Sequence, residues 1–99
     1  MKRALTSTRA AEADLIEIWL YTCEHWSPEQ ADRYLDELAD TIEALRLDPR
    51  RGKDRSELRA GYRSWRTGRH LIFYTFTDVE LRIQRVLHEV MDAGRHLDG

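Results

Sequence analysis

Ser27-Pro28-Glu29-Gln30-Ala31-Asp32-Arg33-Tyr34-Leu35 opens the segment on which the reading of the fold turns. Ser27 can cap a helix because its hydroxyl accepts from a free first-turn amide. Pro28 fits the first helical position, where no amide donor is needed, and Gln30 stands three residues after the cap, as in a capping box. A helix therefore starts here. Its apolar stripe is Ala31, Tyr34, Leu35, Leu38, Ala39, Ile42 and Leu45, with Asp32, Arg33, Asp36, Glu37, Asp40 and Glu43 mostly elsewhere around the cylinder. Asp48-Pro49 ends it near Leu47.

Upstream, from Arg9 to about His25, Ala11, Leu15, Ile18, Trp19 and Thr22 recur at the spacing of one helix face. Ser7 or Thr8 offers the N-cap, and Glu12 and Asp14 place negative charge near the positive end of the helix dipole. The link to Ser27 is so short that the two helices must pack as a hairpin. Ile16 and Leu20 widen the apolar face of the first helix; they could take an amphipathic partner segment or face the sheet. Residues 2–6 are expected to add one strand, with Leu5 its one strongly apolar member.

Downstream, residues 48–57 carry Pro49, Gly52 and a dense set of charges, which predicts an exposed loop. Glu57-Leu58-Arg59 leads to Gly61, Tyr62 to Thr67 reads as a strand, and Thr67-Gly68 marks a bend. His70 to Phe76, with Leu71, Ile72, Phe73, Tyr74 and Phe76, suits a central strand covered on both faces. Val79 to His88 follows as the next strand. Val79, Leu81 and Ile83 alternate but Val86 falls in the other phase, which predicts a bulge near Gln84-Arg85. The expected fold is α+β, one domain over residues 1–99: an N-terminal strand and a two-helix hairpin packed on a mainly antiparallel sheet of about four strands.

A chain of 99 residues supports one core, so function must sit on its surface or in a shallow groove. No apolar run is long enough to cross a bilayer and the N-terminus carries no secretory segment, so a cytoplasmic location and no membrane partner are expected. Cys23 is the only cysteine, which excludes an internal disulfide and a multi-cysteine metal site. His25 lies only two residues on, a spacing that does not bring side chains together on a helix. Residues 1–45 hold four basic and ten acidic side chains, net −6, whereas residues 46–99 hold twelve and eight, net +4. Between Arg50 and Arg69, eight basic side chains, seven of them Arg, face only Asp54 and Glu57. That stretch fits phosphates or an acidic protein, and equally a basic sheet lying against the acidic helices of its own fold.

The enzymatic candidates are His70 and His88 with Arg59, Arg63, Arg69, Arg82 and Arg85, a set suited to RNA cleavage if imidazoles move protons while arginines hold a phosphate. Sequence alone gives them no mutual geometry, and either histidine serves equally well as a structural hydrogen-bonding group. His25, His70, His88 and His96 have no metal-ligand spacing, and His88 with Asp92 supplies only two ligands. Asp32, Asp36, Asp40 and Glu43 read as a solvated helix face. Gly52, Gly61 and Gly68 are isolated, so no phosphate loop is present. Tyr62 and Trp65 interleave with Arg59, Arg63, Arg66 and Arg69, as on nucleic-acid surfaces and protein hot spots alike. No residue is assigned as catalytic, cofactor-binding or metal-binding, and no cofactor is expected.

Glu57-Leu58-Arg59-Ala60-Gly61-Tyr62-Arg63, then His70-Leu71-Ile72-Phe73-Tyr74, then Arg82-Ile83-Gln84-Arg85-Val86-Leu87-His88-Glu89-Val90-Met91-Asp92 resemble the pattern of ParE toxins. Ala93-Gly94-Arg95-His96-Leu97, Ala13-Asp14-Leu15, Gln30-Ala31 and Tyr34 fit it too, so the resemblance spans almost the whole chain. It implies a toxin of a type II toxin–antitoxin pair that poisons DNA gyrase and blocks replication. Its implied partner is a ParD-like antitoxin whose C-terminal segment wraps it, with operator DNA reached only through the joint complex. The family is similar in fold to the RelE ribonucleases, which implies the alternative of a ribosome-dependent mRNA endonuclease. Here Leu87-His88-Glu89 lacks the terminal tyrosine of that branch, and there is no lysine pair on the sheet. Arg59, Arg63 and His88 match the ParE pattern and are expected to brace the sheet and C-terminal segment or to join a partner surface.

Overall fold

In the structure, a computed structural model describing residues 2–91 and 93–97, the chain runs β1 (Ala4–Ser7), α1 (Arg9–His25), α2 (Pro28–Leu47), a 3-10 turn (Pro49–Arg51), β2 (Lys53–Asp54), β3 (Arg63–Thr67), β4 (His70–Phe76), β5 (Glu80–His88) and α3 (Ala93–His96). Both helix starts follow their caps. Thr8, not Ser7, accepts from Ala11 N–H at 3.0 Å, and Ser27 accepts from Gln30 N–H at 3.1 Å. The reciprocal half of the capping box is not made, because the Gln30 side chain turns to Arg33 instead. Ala31, Leu38, Ile42 and Leu45 are buried, Tyr34 and Leu35 half-buried, and Ala39 is exposed, so the stripe is narrower than its sequence pattern by that one residue.

The sheet has five strands in the order β1-β5-β4-β3-β2. β1 pairs parallel with β5, and the remaining pairs are antiparallel. The strand beyond the expected four is β2, two polar residues paired with Ser64 and Arg63 inside the segment read as loop. Leu58 and Arg59 form turns that donate to Arg55 O, so residues 57–59 are not extended. The bulge lies at Gln84: Phe73 pairs with Arg85 and Tyr74 with Ile83, leaving Gln84 as the extra residue.

That bulge brings Val86 onto the same face as Leu81 and Ile83. Those three join Ile72 and Tyr74 under Ala11, Ile18, Leu38, Ile42 and Leu45 of the hairpin. The opposite face buries Phe73 and Leu87 beneath Tyr62 and Leu97, which is why β4 is apolar in both phases. β5 runs on past the end of β1, and α1 satisfies the edge it leaves open. Thr8 N–H donates to Ile83 O, the Thr8 hydroxyl to Gln84 O at 2.7 Å, and Val86 N–H to the Asp14 carboxylate at 2.9 Å.

Candidate functional site

His70 opens β4 and His88 closes β5, and the two are register partners with ring centroids 5.3 Å apart, edge to face. Tyr34 reaches them from α2, its hydroxyl 2.6 Å from His70 Nδ1, and accepts from Arg69 N–H at 3.3 Å. The approach depends on Gly68, which turns the β3–β4 hairpin at φ 58°; a Cβ there would lie 2.7 Å from the Tyr34 oxygen. Burial pushes the Tyr34 phenol up. Burial, then the neighbouring His88, holds the His70 imidazole below its ordinary value, against the opposing pull of Glu89 and Asp14. A protonated phenol, which also reaches Thr67 O at 3.3 Å, thus shares one hydrogen bond with the neutral imidazole at Nδ1. His88 accepts at Nδ1, from Val90 N–H at 3.2 Å.

This gives stability a pH dependence of known sign. The native His70 value lies below the ordinary 6.5, so the unfolded chain binds more protons across that interval, and stability falls as pH drops through it. Urea midpoints measured at about pH 7.5 and about pH 5 should show the loss, and His70→Gln should reduce it. An identical pH dependence in the variant would assign the effect to other groups.

The arginines suspected alongside these histidines do not converge on them. Arg59 donates to Leu97 O at 2.6 Å and Arg63 to Gly52 O at 2.8 Å. Arg85 grips Asp14 through Nε at 2.8 Å and Nη2 at 2.9 Å, and donates to His96 O at 2.8 Å. Arg66 pairs with Glu89, and Arg82 is exposed on β5. Arg59 and Arg85 line a separate hollow of about 350 Å³ below the C-terminal segment. Only Arg69 remains with His70 and His88. Arg59 thus braces the C-terminal segment and Arg63 the turn before β2, one of the two roles expected of them, whereas His88 bonds only within its own turn, to Val90.

The two histidines instead form the floor of a groove of about 940 Å³. Tyr21 and Thr22 of α1, Trp26 at its C-cap, Gln30 and Tyr34 of α2, and Val90 and Met91 after β5 make its walls. Tyr21 is 58%, Trp26 68% and Val90 81% exposed, an aromatic and apolar surface of the sort that marks a macromolecular contact. Ile16 and Leu20 also stand exposed on α1 rather than facing the sheet. Asp14 and Glu17 supply negative charge to the lining and Arg69 positive charge. Sequence reasoning passed over Tyr21 and Trp26 and placed Tyr34 only in the apolar stripe and the family pattern. Tyr34 was legible as a stripe residue whose hydroxyl needs a partner, and Tyr21 and Trp26 as aromatics off the stripe.

Among the described residues no group of three or more His, Cys, Asp and Glu side chains is placed to hold a metal ion. The pairing of His88 with Asp92 lies outside the described residues. His25 is occupied by Tyr21, stacking on its ring at 3.9 Å between centroids, with Nδ1 2.9 Å from the Tyr21 carbonyl oxygen. No described helix is long and apolar enough to cross a membrane.

The family described as "ParE toxin of type II toxin-antitoxin system, parDE" matches residues 5–93. "Toxin ParE1" of Caulobacter vibrioides is 44% identical over 90 residues, covering 91% of this chain and 93% of that protein. "Toxin ParE1" of Mycobacterium tuberculosis is 42% identical over 89 residues, covering 89% and 91%. A solved structure, "Chromosomal ParDE TA system from P. aeruginosa", superimposes with a TM-score of 0.74 over 88% of this chain and 96% of that one. At 21% identity it bears on the fold alone.

Proposed function

The chain belongs to the ParE toxin family of type II toxin–antitoxin systems, and from that premise we propose that it binds DNA gyrase, holds it in its cleaved-DNA state and performs no bond chemistry of its own. A ParD-type antitoxin silences it, and the pair reaches operator DNA through the antitoxin, all within the cytoplasm.

The observation that carries this reading is how the polar side chains are spent. Arg59, Arg63 and Arg85 are tied to backbone carbonyls or to Asp14, and His70 and His88 each use Nδ1 in a local hydrogen bond. Those N–H groups are already spent, and none of the three guanidiniums lines the groove, where charge growing on a phosphate would have to be met. What the groove offers instead is rigid aromatic area at Tyr21 and Trp26, the currency of protein recognition, and an amphipathic antitoxin segment has a match there.

A second reading, a ribosome-dependent mRNA endonuclease, has one observation in its favour: two imidazoles and Arg69 share the groove. Controlled expression in a bacterium with a susceptible gyrase separates the two. The gyrase reading expects growth arrest with a broken chromosome and intact mRNA, relieved by co-expressing the small protein encoded beside this gene. An intact chromosome with mRNA cut at ribosomes, abolished by His88→Ala in a folded protein, would transfer the assignment to the endonuclease.

A further inference from the structure

At the far end of β4 from the groove, three guanidiniums surround one ring. Arg3, from the N-terminal segment, lies 5.6 Å from the Phe76 centroid, Arg50, from the turn after α2, 5.8 Å, and Arg63, on β3, 5.9 Å. Three separate stretches of chain thus bring like charges together, an arrangement that costs repulsion unless something holds it. Backbone oxygens do so: Arg3 Nε donates to Thr77 O at 2.7 Å, and Arg63 Nη1 to Gly52 O at 2.8 Å and Arg50 O at 3.4 Å. The ring face adds its own attraction for cations.

No carboxylate among the described residues lies within salt-bridge distance of the three. Of the acids on the same segments, Glu43 is engaged by Arg46 and Lys2, and Asp54 accepts from Ser56; Asp48 remains near the turn. Arg50 is exposed and keeps its donors, and Arg3 and Arg63 are only partly covered. Arg3 and Arg63 are thus held by backbone oxygens and none of the three is in a salt bridge; Asp54, the register partner of Arg63, offsets part of that residue's charge and leaves Arg3 and Arg50 the freer two.

We propose that Arg3, Arg50 and Arg63 around Phe76 form a docking surface for the phosphate backbone of duplex DNA. Sharing one ring keeps the three charges within about 12 Å of one another, a span in which one strand of a duplex presents several phosphates at about 3.4 Å of axial rise each. The aromatic faces here are taken by the protein's own guanidiniums, since Arg51 also lies 5.5 Å over the Trp65 ring. Bases of a single strand would need those faces for stacking, whereas a duplex keeps its bases inside and its phosphates outside. The patch reads charge and not sequence. β4 separates it from the His70 end by about 20 Å at strand rise, so a partner in the groove leaves it open. This contact is direct, in addition to any operator binding through an antitoxin.

With a formal net charge of −2 the whole chain repels polyanions, so binding must come from a local patch. The test is fluorescence anisotropy of a labelled duplex of about 20 base pairs with the full chain, at about 50 and about 200 mM salt. Salt-sensitive binding is expected, weakened about tenfold by Arg50→Glu with a salt slope reduced by about one. Arg50→Glu leaves the fold intact because the Arg50 carbonyl, not its side chain, serves Arg63. Arg82→Glu makes the same charge change on the other face of the sheet and should alter the affinity less than about twofold. No salt-sensitive binding, or equal losses in the two variants, would overturn the proposal. So would tighter binding of a single-stranded RNA, or displacement of the duplex by oligoglutamate as readily as by unlabelled duplex, which would assign the surface to an acidic protein.

Discussion

Gly52→Ala should lower the stability of the fold by about 3 kcal/mol, and the thermal midpoint by roughly 15 °C, as read by circular dichroism. A Cβ at residue 52 would sit 2.0 Å from the hydroxyl oxygen of Tyr74 and 2.9 Å from the backbone oxygen of Ser64. Neither neighbour is free to yield. Tyr74 is fully buried in the helix-side core, and its hydroxyl donates to Pro49 O at 2.6 Å while accepting from Gly52 N–H at 3.0 Å. Ser64 is fixed by its ladders to β2 and β4. The added methyl must therefore displace either the loop or a core side chain, and in both cases buried polar groups lose partners. Tyr74→Phe alone should cost about 2 kcal/mol through those same groups. The double variant should be more stable than the sum of the single losses predicts, because the phenol oxygen that clashes is gone. A Gly52→Ala protein within about 0.5 kcal/mol of the parent would show that the loop does not rest on Tyr74 as described.

Asp14→Ala should cost a similar amount, about 3 kcal/mol in urea unfolding. The Asp14 carboxylate accepts from Arg85 Nε, Arg85 Nη2 and Val86 N–H within 2.8 to 2.9 Å, with side-chain exposures of 14% for Asp14 and 22% for Arg85. A surface ion pair would be worth far less. Here removal of one partner leaves a largely covered guanidinium and a strand-edge amide unsatisfied together. The carboxylate holds Arg85 charged by hydrogen bonding against burial. Arg85→Ala should cost less than Asp14→Ala, since it leaves the Val86 bond in place, and the double variant should lose less than the two single changes combined. Strict additivity would mean the pair contributes nothing as a pair. Asp14 and Val86 both line the groove, so Asp14→Ala should also weaken partner binding there.

Local signals carried much of this architecture into the sequence. Ser27-Pro28 marks the hairpin corner because capping and the proline position act within one turn, and Asp48-Pro49 marks its end for the same reason. The phase change between Ile83 and Val86 locates the bulge, because a strand can return an apolar residue to the core only by an extra unpaired one. β2 was not legible: Lys53-Asp54 has no apolar side chain, and its pairing is decided by Arg63 and Ser64, about ten residues on. The parallel pairing of β1 with β5 likewise depends on residues more than seventy positions away.

The site was legible only in outline. His70 and His88 stood out in the sequence as titratable groups, but their pairing follows from the β4–β5 register and the Tyr34 contact from how α2 crosses the sheet. The arginine-rich stretch looked like one surface and is several. Arg66 pairs with Glu89, Arg55 with Glu57, Arg59 holds the C-terminal segment, and Arg63 joins the Phe76 cluster. Charge counts along a chain do not record which partners a fold provides.

The proposed action on gyrase, as a binding partner and not as a nuclease, is open to a direct test. The direct measurement is plasmid supercoiling and cleavage by gyrase with ATP, in the presence of the purified chain, with and without its antitoxin. Linear, cleaved plasmid should accumulate with toxin, require gyrase and disappear when antitoxin is added. Unchanged supercoiling and no cleaved product, with active gyrase and a folded chain, would rule out gyrase as the target.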